Sequence, residues 1–166
     1  MPVAAKSRRK SRMPKMQLHG WLVIDKSAGI TSTQVVTEVR RLTSAHKAGH
    51  GGTLDPLATG ILPVALGEAT KTVSFVMDGL KSYRFTVRWG ERRDTDDSEG
   101  QVIRVSQKRP NFSQISAILP KFRGEIMQKP PTYSAKKVGG KRSYQLARAA
   151  QPVDLAPCPV LIRGLR

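Results

Sequence analysis

One acidic side chain stands in a segment whose composition suits the presentation of a reactive group. Residues 50–60 read His-Gly-Gly-Thr-Leu-Asp-Pro-Leu-Ala-Thr-Gly, with Asp55 as their single acid. Glycine permits tight turns and the close approach of a ligand, and Pro56 pushes Asp55 towards an extended conformation. A carboxylate held in this way can act as a covalent nucleophile. The same pattern also fits an Asx turn, in which the Asp55 side chain bonds its own backbone, and both interpretations stay open.

Other common chemistries find little support. The sequence has no Gly-x-Ser-x-Gly element, no phosphate-binding Walker loop and no dinucleotide fingerprint. Three histidines and one cysteine, Cys158, give few ligands for zinc and exclude an internal disulfide. The acidic residues at 91–100 lack the glycine and glutamate positions of a calcium loop, so a solvated turn is expected there.

The charge indicates a polyanionic partner. Lys and Arg number 29 against 12 acids, which gives a formal net charge of +17. Nucleic acid is the first candidate. Attack of Asp55 on a nucleotide would require the base to leave its stack, and an aromatic ring would then have to hold it. Tyr83 and Tyr133, both close to basic residues, are the candidate rings, although either could instead be an ordinary packing residue.

The segments before and after this loop predict the elements that position it. Residues 20–26 form a short apolar run typical of a buried strand. Residues 31–33 offer helix caps, and Val35, Val36, Val39 and Leu42 follow at helical spacing. An apolar run at 61–67 predicts a strand in which Pro63 marks an edge or a strand start. A helix is expected from Glu68 to Met77.

The second half of the chain predicts mostly hairpins. Residues 82–90 alternate well and predict a strand that pairs with residues 101–105. The remaining expectations are a helix capped by Ser113, a strand at 122–127, a basic hairpin at 133–142, a helix at 143–150 and an unpartnered strand at 160–162. Strands outnumber helices, which favours an α+β fold. Residues 1–16 are basic and without hydrophobic periodicity, and predict a disordered arm.

Residues 48–60 closely resemble the catalytic motif of the bacterial TruB family, the tRNA pseudouridine synthases that modify the T-loop uridine. Further segments resemble family motifs in the family's order: residues 67–71, 83–84, 94–100 and 133–140, with Tyr144, Ala147 and Arg148. The resemblance covers nearly the whole chain from Gly20 onward. It implies the pseudouridine synthase catalytic fold, a mixed, mostly antiparallel sheet with flanking helices.

The resemblance also implies roles for individual residues. The expected activity is that of an isomerase that needs no cofactor and no metal and acts on the T-arm of tRNA (uridine 55). Asp55 matches the nucleophilic aspartate, and Tyr83 matches the tyrosine that stacks on the flipped base and assists proton transfer. His50, Lys26 and Arg84 are the expected RNA-binding residues, with His50 entering the T-loop. A monomer in the cytoplasm, without a membrane segment, is expected.

The chain departs from the family pattern at three places, one of which is Arg93, where the family often has threonine. The family's Asp-Lys-Pro-x-Gly turn reads Asp-Lys-Ser-Ala-Gly at residues 25–29, a change expected to loosen the turn modestly. The family's second catalytic half, whose arginine faces the aspartate, and its PUA domain have no counterpart in these 166 residues. Residues 17–166 are therefore expected to form the N-terminal part of a catalytic domain, incomplete on its C-terminal side. The alternative function is a weakly active or inactive tRNA-binding or tRNA-folding protein.

Overall fold

A computed structural model describes residues 16–134, 136–149 and 151–166, and the chain divides into two compact units, Met1–Tyr83 and Arg84–Arg166. Apart from Met16, the expected basic arm lies outside the described residues. Met16 forms an isolated parallel bridge with Ala45. The paired strands of the described chain are otherwise antiparallel, and helices accompany them in both units. The predicted α+β class, with a mostly antiparallel arrangement, is confirmed.

A three-stranded antiparallel sheet organises the first unit. Its strands are β1 (Gly20–Lys26), β2 (Ala48–His50) and β3 (Gly60–Leu66), in the spatial order β1-β3-β2. Every residue of β1 pairs with a residue of β3, from Gly20 opposite Leu66 to Lys26 opposite Gly60. The strands predicted at 20–26 and 61–67 are thus confirmed to within a residue.

Helix α1 (Ser32–Thr43) covers one face of this sheet. Thr31 is its N-cap: the Thr31 hydroxyl accepts from the Gln34 amide at 3.1 Å, and the Gln34 side chain accepts from the Thr31 amide at 2.7 Å. This reciprocal pair satisfies two helix-terminal donors. The buried core between helix and sheet contains Val35, Val39, Ala45, Leu62, Val64 and Leu66. The helical spacing in the sequence therefore predicted Val35 and Val39 correctly, whereas Val36 is only partly buried and Leu42 is 65% exposed.

Pro63 lies in the central strand, so the expectation that it marks an edge or a strand start is wrong. Its carbonyl accepts from the Gly51 amide at 2.8 Å, one residue beyond the end of β2. Because the N–H and C=O of one strand residue point to the same side, the missing Pro63 donor faces the place where β2 has ended. A central strand accommodates proline here since no ladder donor is required at that position.

The first unit continues with a 3-10 helix (Gly67–Thr72) and α2 (Val73–Met77), in agreement with the helix expected from Glu68 to Met77. Glu68 and Lys71 form an exposed ion pair one turn apart. The hydrogen bond from the Lys71 ammonium lowers the pKa of the Glu68 carboxyl below its ordinary value. This contact supports the 3-10 turn only weakly, because exposed ion pairs contribute little.

The strand predicted at residues 82–90 is wrong. These residues join no ladder in the described part of the chain, and Tyr83, Phe85 and Trp89 are 71%, 66% and 44% exposed. Alternating apolar residues show that a segment could bury one face, but a strand forms only when its backbone finds a partner. The predicted partner strand within residues 101–105 pairs instead with Glu91–Arg93.

The second unit consists of short hairpins and short helices. Its elements are β4 (Glu91–Arg93), β5 (Val102–Val105), α3 (Phe112–Ile118), a 3-10 helix (Leu119–Phe122), β6 (Gly124–Gln128), β7 (Lys137–Val138), β8 (Lys141–Arg142), α4 (Ser143–Arg148) and β9 (Cys158–Ile162). Strand pairs are β4 with β5, β7 with β8, and β6 with β9.

Two predictions for this unit need correction. Helix α3 is capped by Asn111, which exchanges hydrogen bonds with Gln114, and not by Ser113. Both side chains can cap, but Asn111 has the extended backbone that an N-cap requires. The terminal strand expected to lack a partner is β9, and it pairs antiparallel with β6 along its full length. The paired residues lie 30 to 38 positions apart in the chain, and local patterns do not reveal such a pairing.

Candidate active site around Asp55

The Asp55 loop is held through its backbone while the carboxylate is left free. Residues 55–58 form a turn in which the Ala58 amide donates to the Asp55 carbonyl at 3.0 Å. Pro56 occupies the second position of this turn, where its fixed φ is favourable. The Asp55 side chain is exposed, and no hydrogen bond or ion pair within residues 16–134, 136–149 and 151–166 reaches its carboxylate. The turn is real, but the Asx interpretation is wrong because its side-chain bond is absent among these residues.

The residue before Asp55 is bound by one hydroxyl. Ser32 Oγ donates to the Leu54 carbonyl at 3.1 Å and accepts from the Leu54 amide at 3.0 Å. Ser32 is 3% exposed and begins α1. The sequence indicated residues 31–33 only as possible caps, and Thr31 alone caps the helix. Nothing local predicts the second role of Ser32, since its partner lies 22 residues away.

The residue after Asp55 is bound by the turn that follows β1. The Pro56 carbonyl accepts from the Gly29 amide at 2.8 Å and from Lys26 Nζ at 3.3 Å. Gly29 adopts φ +86°, a conformation that glycine reaches without the strain other residues meet. The turn at residues 25–29 therefore contacts the Asp55 loop directly.

The burial of Lys26 does not fit the expectation that this residue contacts RNA. Its side chain is 1% exposed, and its ammonium donates to the carbonyls of Ser27, Ile30 and Pro56 at 3.0, 2.9 and 3.3 Å. A buried ammonium needs such partners because desolvation of an unpaired charge is costly. All three donors of Lys26 serve the backbone that surrounds the Asp55 loop, so its role is to hold the loop.

Glycine is required at the two positions that follow β2, Gly51 and Gly52, for different structural reasons. A Cβ on Gly51 would lie 2.9 Å from Val76 Cγ1 and 3.5 Å from the Trp21 ring, so only glycine fits beneath these side chains without displacing them. Gly52 has open space around it but adopts φ +135°. One glycine therefore permits close packing and the other permits the backbone conformation that carries the chain towards Asp55.

His50 ends β2, opposite Val64 of β3, and is partly buried. Its Nδ1 atom is buried and has no hydrogen-bond partner among the described residues. An unpaired buried ring nitrogen is unfavourable unless a ligand satisfies it. The strand brings His50 to the start of the glycine loop, five residues before Asp55 in the sequence.

The candidate aromatic residues, Tyr83 and Tyr133, and the neighbouring Arg84 are exposed. Tyr83 is 71% exposed, and within the described ranges no hydrogen bond links it to Asp55 or His50. Arg84 is exposed and begins the second compact unit. Tyr133, the alternative base platform, lies in the second unit and is 38% exposed. The hydrogen-bond network described above thus gathers Lys26 and Asp55, but not Tyr83 or Arg84.

The acidic tip of the β4–β5 hairpin uses its carboxylates for turn bonds. Asp94 Oδ1 accepts from the Gln101 amide at 2.8 Å, and Asp97 Oδ1 accepts from the Glu99 amide at 2.9 Å. The expected turn is confirmed at residues 94–100, whereas Glu91–Arg93 form β4. Across the described residues, no group of three or more His, Cys, Asp or Glu side chains could hold a metal ion. No helix in those residues is long and apolar enough to cross a membrane.

Comparison with protein families gives a match over most of the chain. The model of the N-terminal domain of the TruB family pseudouridylate synthases matches residues 40–166, a range that includes His50, Asp55 and Tyr83. The tRNA pseudouridine synthase B of Nitrobacter winogradskyi is 60% identical over 154 residues, 93% of this chain. The protein of the same name from Rhodospirillum rubrum is 62% identical over 148 residues, 89% of this chain.

These relatives are longer than this chain. The matched region is 43% of the Nitrobacter protein and 48% of the Rhodospirillum protein, so the chain spans about half the length of the curated relatives it matches. Among solved structures, a Cbf5-Nop10-Gar1 complex contains a similar chain, 31% identical, with a TM-score of 0.49 over 73% of this chain and 31% of that one. An H/ACA RNP bound to a substrate RNA contains another, 29% identical, with a TM-score of 0.47 over 68% of this chain and 30% of that one.

Proposed function

The chain belongs to the TruB family of pseudouridylate synthases, and on that premise we propose that it converts the T-loop uridine of tRNA to pseudouridine with Asp55 as the nucleophile. One observation carries the assignment of Asp55. The backbone of residues 54–56 is hydrogen-bonded at each residue, whereas the Asp55 carboxylate is exposed and without a partner among the described residues. The backbone thus fixes the position of the carboxylate, and the carboxylate is available to react. A nucleophile needs both conditions before substrate binds.

The proposed reaction is an isomerisation. The bond between C1′ of the ribose and N1 of uracil breaks, and a bond between C1′ and C5 forms. The proton on C5 leaves, and N1 gains one, so the atoms balance and no oxidant, reductant or other co-reactant is required. Asp55 supplies the negative charge that drives cleavage of the glycosidic bond, by attack on the ribose or on the pyrimidine ring, and the bond that Asp55 forms breaks again before the product leaves, so the carboxylate is regenerated.

The uridine has to leave its stack before a carboxylate can reach it. We assign Tyr83 to stacking on the flipped base and to proton transfer, and its exposed ring is free to make this contact. His50 is assigned to the T-loop of the RNA. Its position at the end of β2, where the loop that carries Asp55 begins, supports that role. Arg84, also exposed, is assigned to the RNA backbone.

The proposed partner is the T-arm of tRNA, and the charge of the chain supports it. A net charge of +17 attracts a polyanion strongly. We further propose that the protein works as a monomer in the cytoplasm. A single cysteine is in keeping with a reducing compartment.

Substitution of the nucleophile tests this function. With Asp55→Asn, pseudouridine formation should fall to background in a tritium-release assay on tRNA labelled at uridine C5, because the amide cannot serve as the nucleophile. The affinity for tRNA should stay within about threefold, since one exposed charge contributes little to binding. Asp78→Asn, at another exposed aspartate of the same unit, is the matched control and should retain activity.

Two results would contradict the proposed function or the role of Asp55 in it. Normal turnover by Asp55→Asn would remove Asp55 from the chemistry. Tight tRNA binding by the unsubstituted chain, without any product, would favour the alternative function of a tRNA-binding or tRNA-folding protein.

A further inference from the structure

Ser32 binds the backbone of the residue that precedes Asp55. Its hydroxyl makes two hydrogen bonds, both to Leu54, and so pairs the amide and the carbonyl of a single loop residue. The Leu54 carbonyl carbon is bonded directly to the Asp55 nitrogen. Fixing the Leu54 backbone therefore fixes the direction in which the chain enters Asp55.

The surroundings of Ser32 make this contact rigid. Ser32 is 3% exposed and belongs to α1, whose apolar face is buried against the sheet. The Leu54 side chain packs partly against the same core. A buried hydroxyl in a capped helix has little freedom to rotate away from its partners. Its loss would leave the Leu54 amide and carbonyl without a hydrogen-bond partner among the described residues.

The other anchors of the loop act on a different residue. Gly29 and Lys26 bind the Pro56 carbonyl, which lies on the C-terminal side of Asp55. On the N-terminal side of Asp55, the Gly51 amide donates to the Pro63 carbonyl, and among the described residues Ser32 alone binds the backbone between Gly51 and Asp55, at Leu54. Without Ser32, the backbone from Gly52 to Leu54 would have no hydrogen bond to the described residues.

We propose that Ser32 is a positioning residue of the active site, which orients Asp55 by clamping the Leu54 backbone. This inference rests on the proposed function, in which Asp55 is the nucleophile. A catalytic group has to be held within a fraction of an ångström of its productive position by neighbours that are themselves fixed. Displacement of about 1 Å can lower a rate about a hundredfold.

Amide hydrogen exchange tests the clamp independently of catalysis. In the unsubstituted full chain, the Leu54 amide should be protected, since Ser32 Oγ accepts from it. In Ser32→Ala, exchange at Leu54 should accelerate about tenfold or more. Exchange at Ala58, whose amide reports on the Asp55 carbonyl, should also accelerate, whereas amides within α1 should keep their protection.

Thr43 offers a matched control on the same helix. Its hydroxyl also donates to a carbonyl, that of Val39 at 2.7 Å, and accepts from an amide, that of Ala45 at 3.3 Å. Neither bond involves the Asp55 loop. Thr43→Val should therefore leave exchange at Leu54 and Ala58 unchanged.

A kinetic measurement then separates positioning from simple destabilisation. Ser32→Ala should lower kcat for pseudouridine formation about ten- to a hundredfold, with KM changed less than about threefold, because Asp55 is misplaced while the RNA-binding surface remains. Thr43→Val should retain kcat. If the unsubstituted chain forms no product, the proposed function fails, and the exchange experiment still decides whether Ser32 clamps the loop.

Specific outcomes would overturn the proposal. An unprotected Leu54 amide in the unsubstituted chain would do so, as would unchanged Leu54 exchange or unchanged kcat in Ser32→Ala. If Ser32→Ala loses the protection of α1 as a whole, Ser32→Thr, which keeps the hydroxyl, decides the question. Protected Leu54 in that variant supports the clamp, and unprotected Leu54 in a folded variant contradicts it.

Discussion

Asp55 combines a fixed backbone with an unpaired carboxylate. Its neighbour Leu54 is bound by Ser32, the first residue of α1, and its neighbour Pro56 is bound by Gly29 in the turn between β1 and α1. The composition of residues 50–60 was enough to select Asp55 as a candidate nucleophile. The residues that hold it, Ser32 and Lys26, were not predicted in these roles, because their contacts reach 22 and 30 residues along the chain.

Lys26 allows a prediction about the stability of this arrangement. In Lys26→Met the stem is replaced by an apolar side chain of similar length, but the carbonyls of Ser27 and Ile30 lose their donor. Hydrogen bonds from a charged donor contribute roughly 1.5–3 kcal/mol, so the free energy of unfolding in urea should fall by about 1–3 kcal/mol. Lys71→Met, at a side chain 70% exposed, should change it by less than about 1 kcal/mol. Equal stability of the two variants would show that the buried ammonium is dispensable.

Among the elements, those with a strong local signal were predicted well. β1, α1 and β3 appear within a residue or two of their predicted bounds, since hydrophobic periodicity and the caps are encoded locally. The segment at 82–90 was predicted wrongly, and the partner of β9 was not foreseen, because strand pairing depends on residues far along the chain. The cap of α3 was misplaced by two residues, at Ser113 instead of Asn111.

Two adjacent residues of β3 test which face of the sheet stabilises the first unit. Leu62 is 1% exposed beneath α1, whereas Ile61 is 61% exposed on the opposite face. Leu62→Ala should lower the free energy of unfolding by about 2–5 kcal/mol because it opens a cavity in the core. Ile61→Ala should lower it by less than about 1 kcal/mol. Comparable losses in urea unfolding would contradict the assignment of the core to the α1 side.

For the molecule as a whole, the positive net charge is the main indication of the class of partner that it binds. The formal net charge of +17 is spread over both compact units, since Lys and Arg occur throughout the sequence. Family membership and charge point to the same partner, a structured RNA. The sequence predicted this class of partner from composition alone, because net charge needs no knowledge of the fold.

This charge predicts a steep dependence of tRNA binding on salt. Between about 50 and about 200 mM salt, the affinity should fall about a hundredfold or more, because each neutralised phosphate releases a counterion. Filter binding or fluorescence anisotropy with a labelled tRNA transcript would measure the slope. An affinity that changes less than about threefold over this range would contradict a binding mode based on phosphate contacts.

The central claim is that this chain uses Asp55 to isomerise a uridine, and its own product is the most direct test. The unsubstituted chain should be incubated with an unmodified tRNA transcript, and the RNA examined by mass spectrometry and by carbodiimide-dependent primer extension. Pseudouridine should form at a single T-loop position, and none should form with Asp55→Asn. Bound tRNA that remains unmodified after prolonged incubation with excess protein would contradict the account.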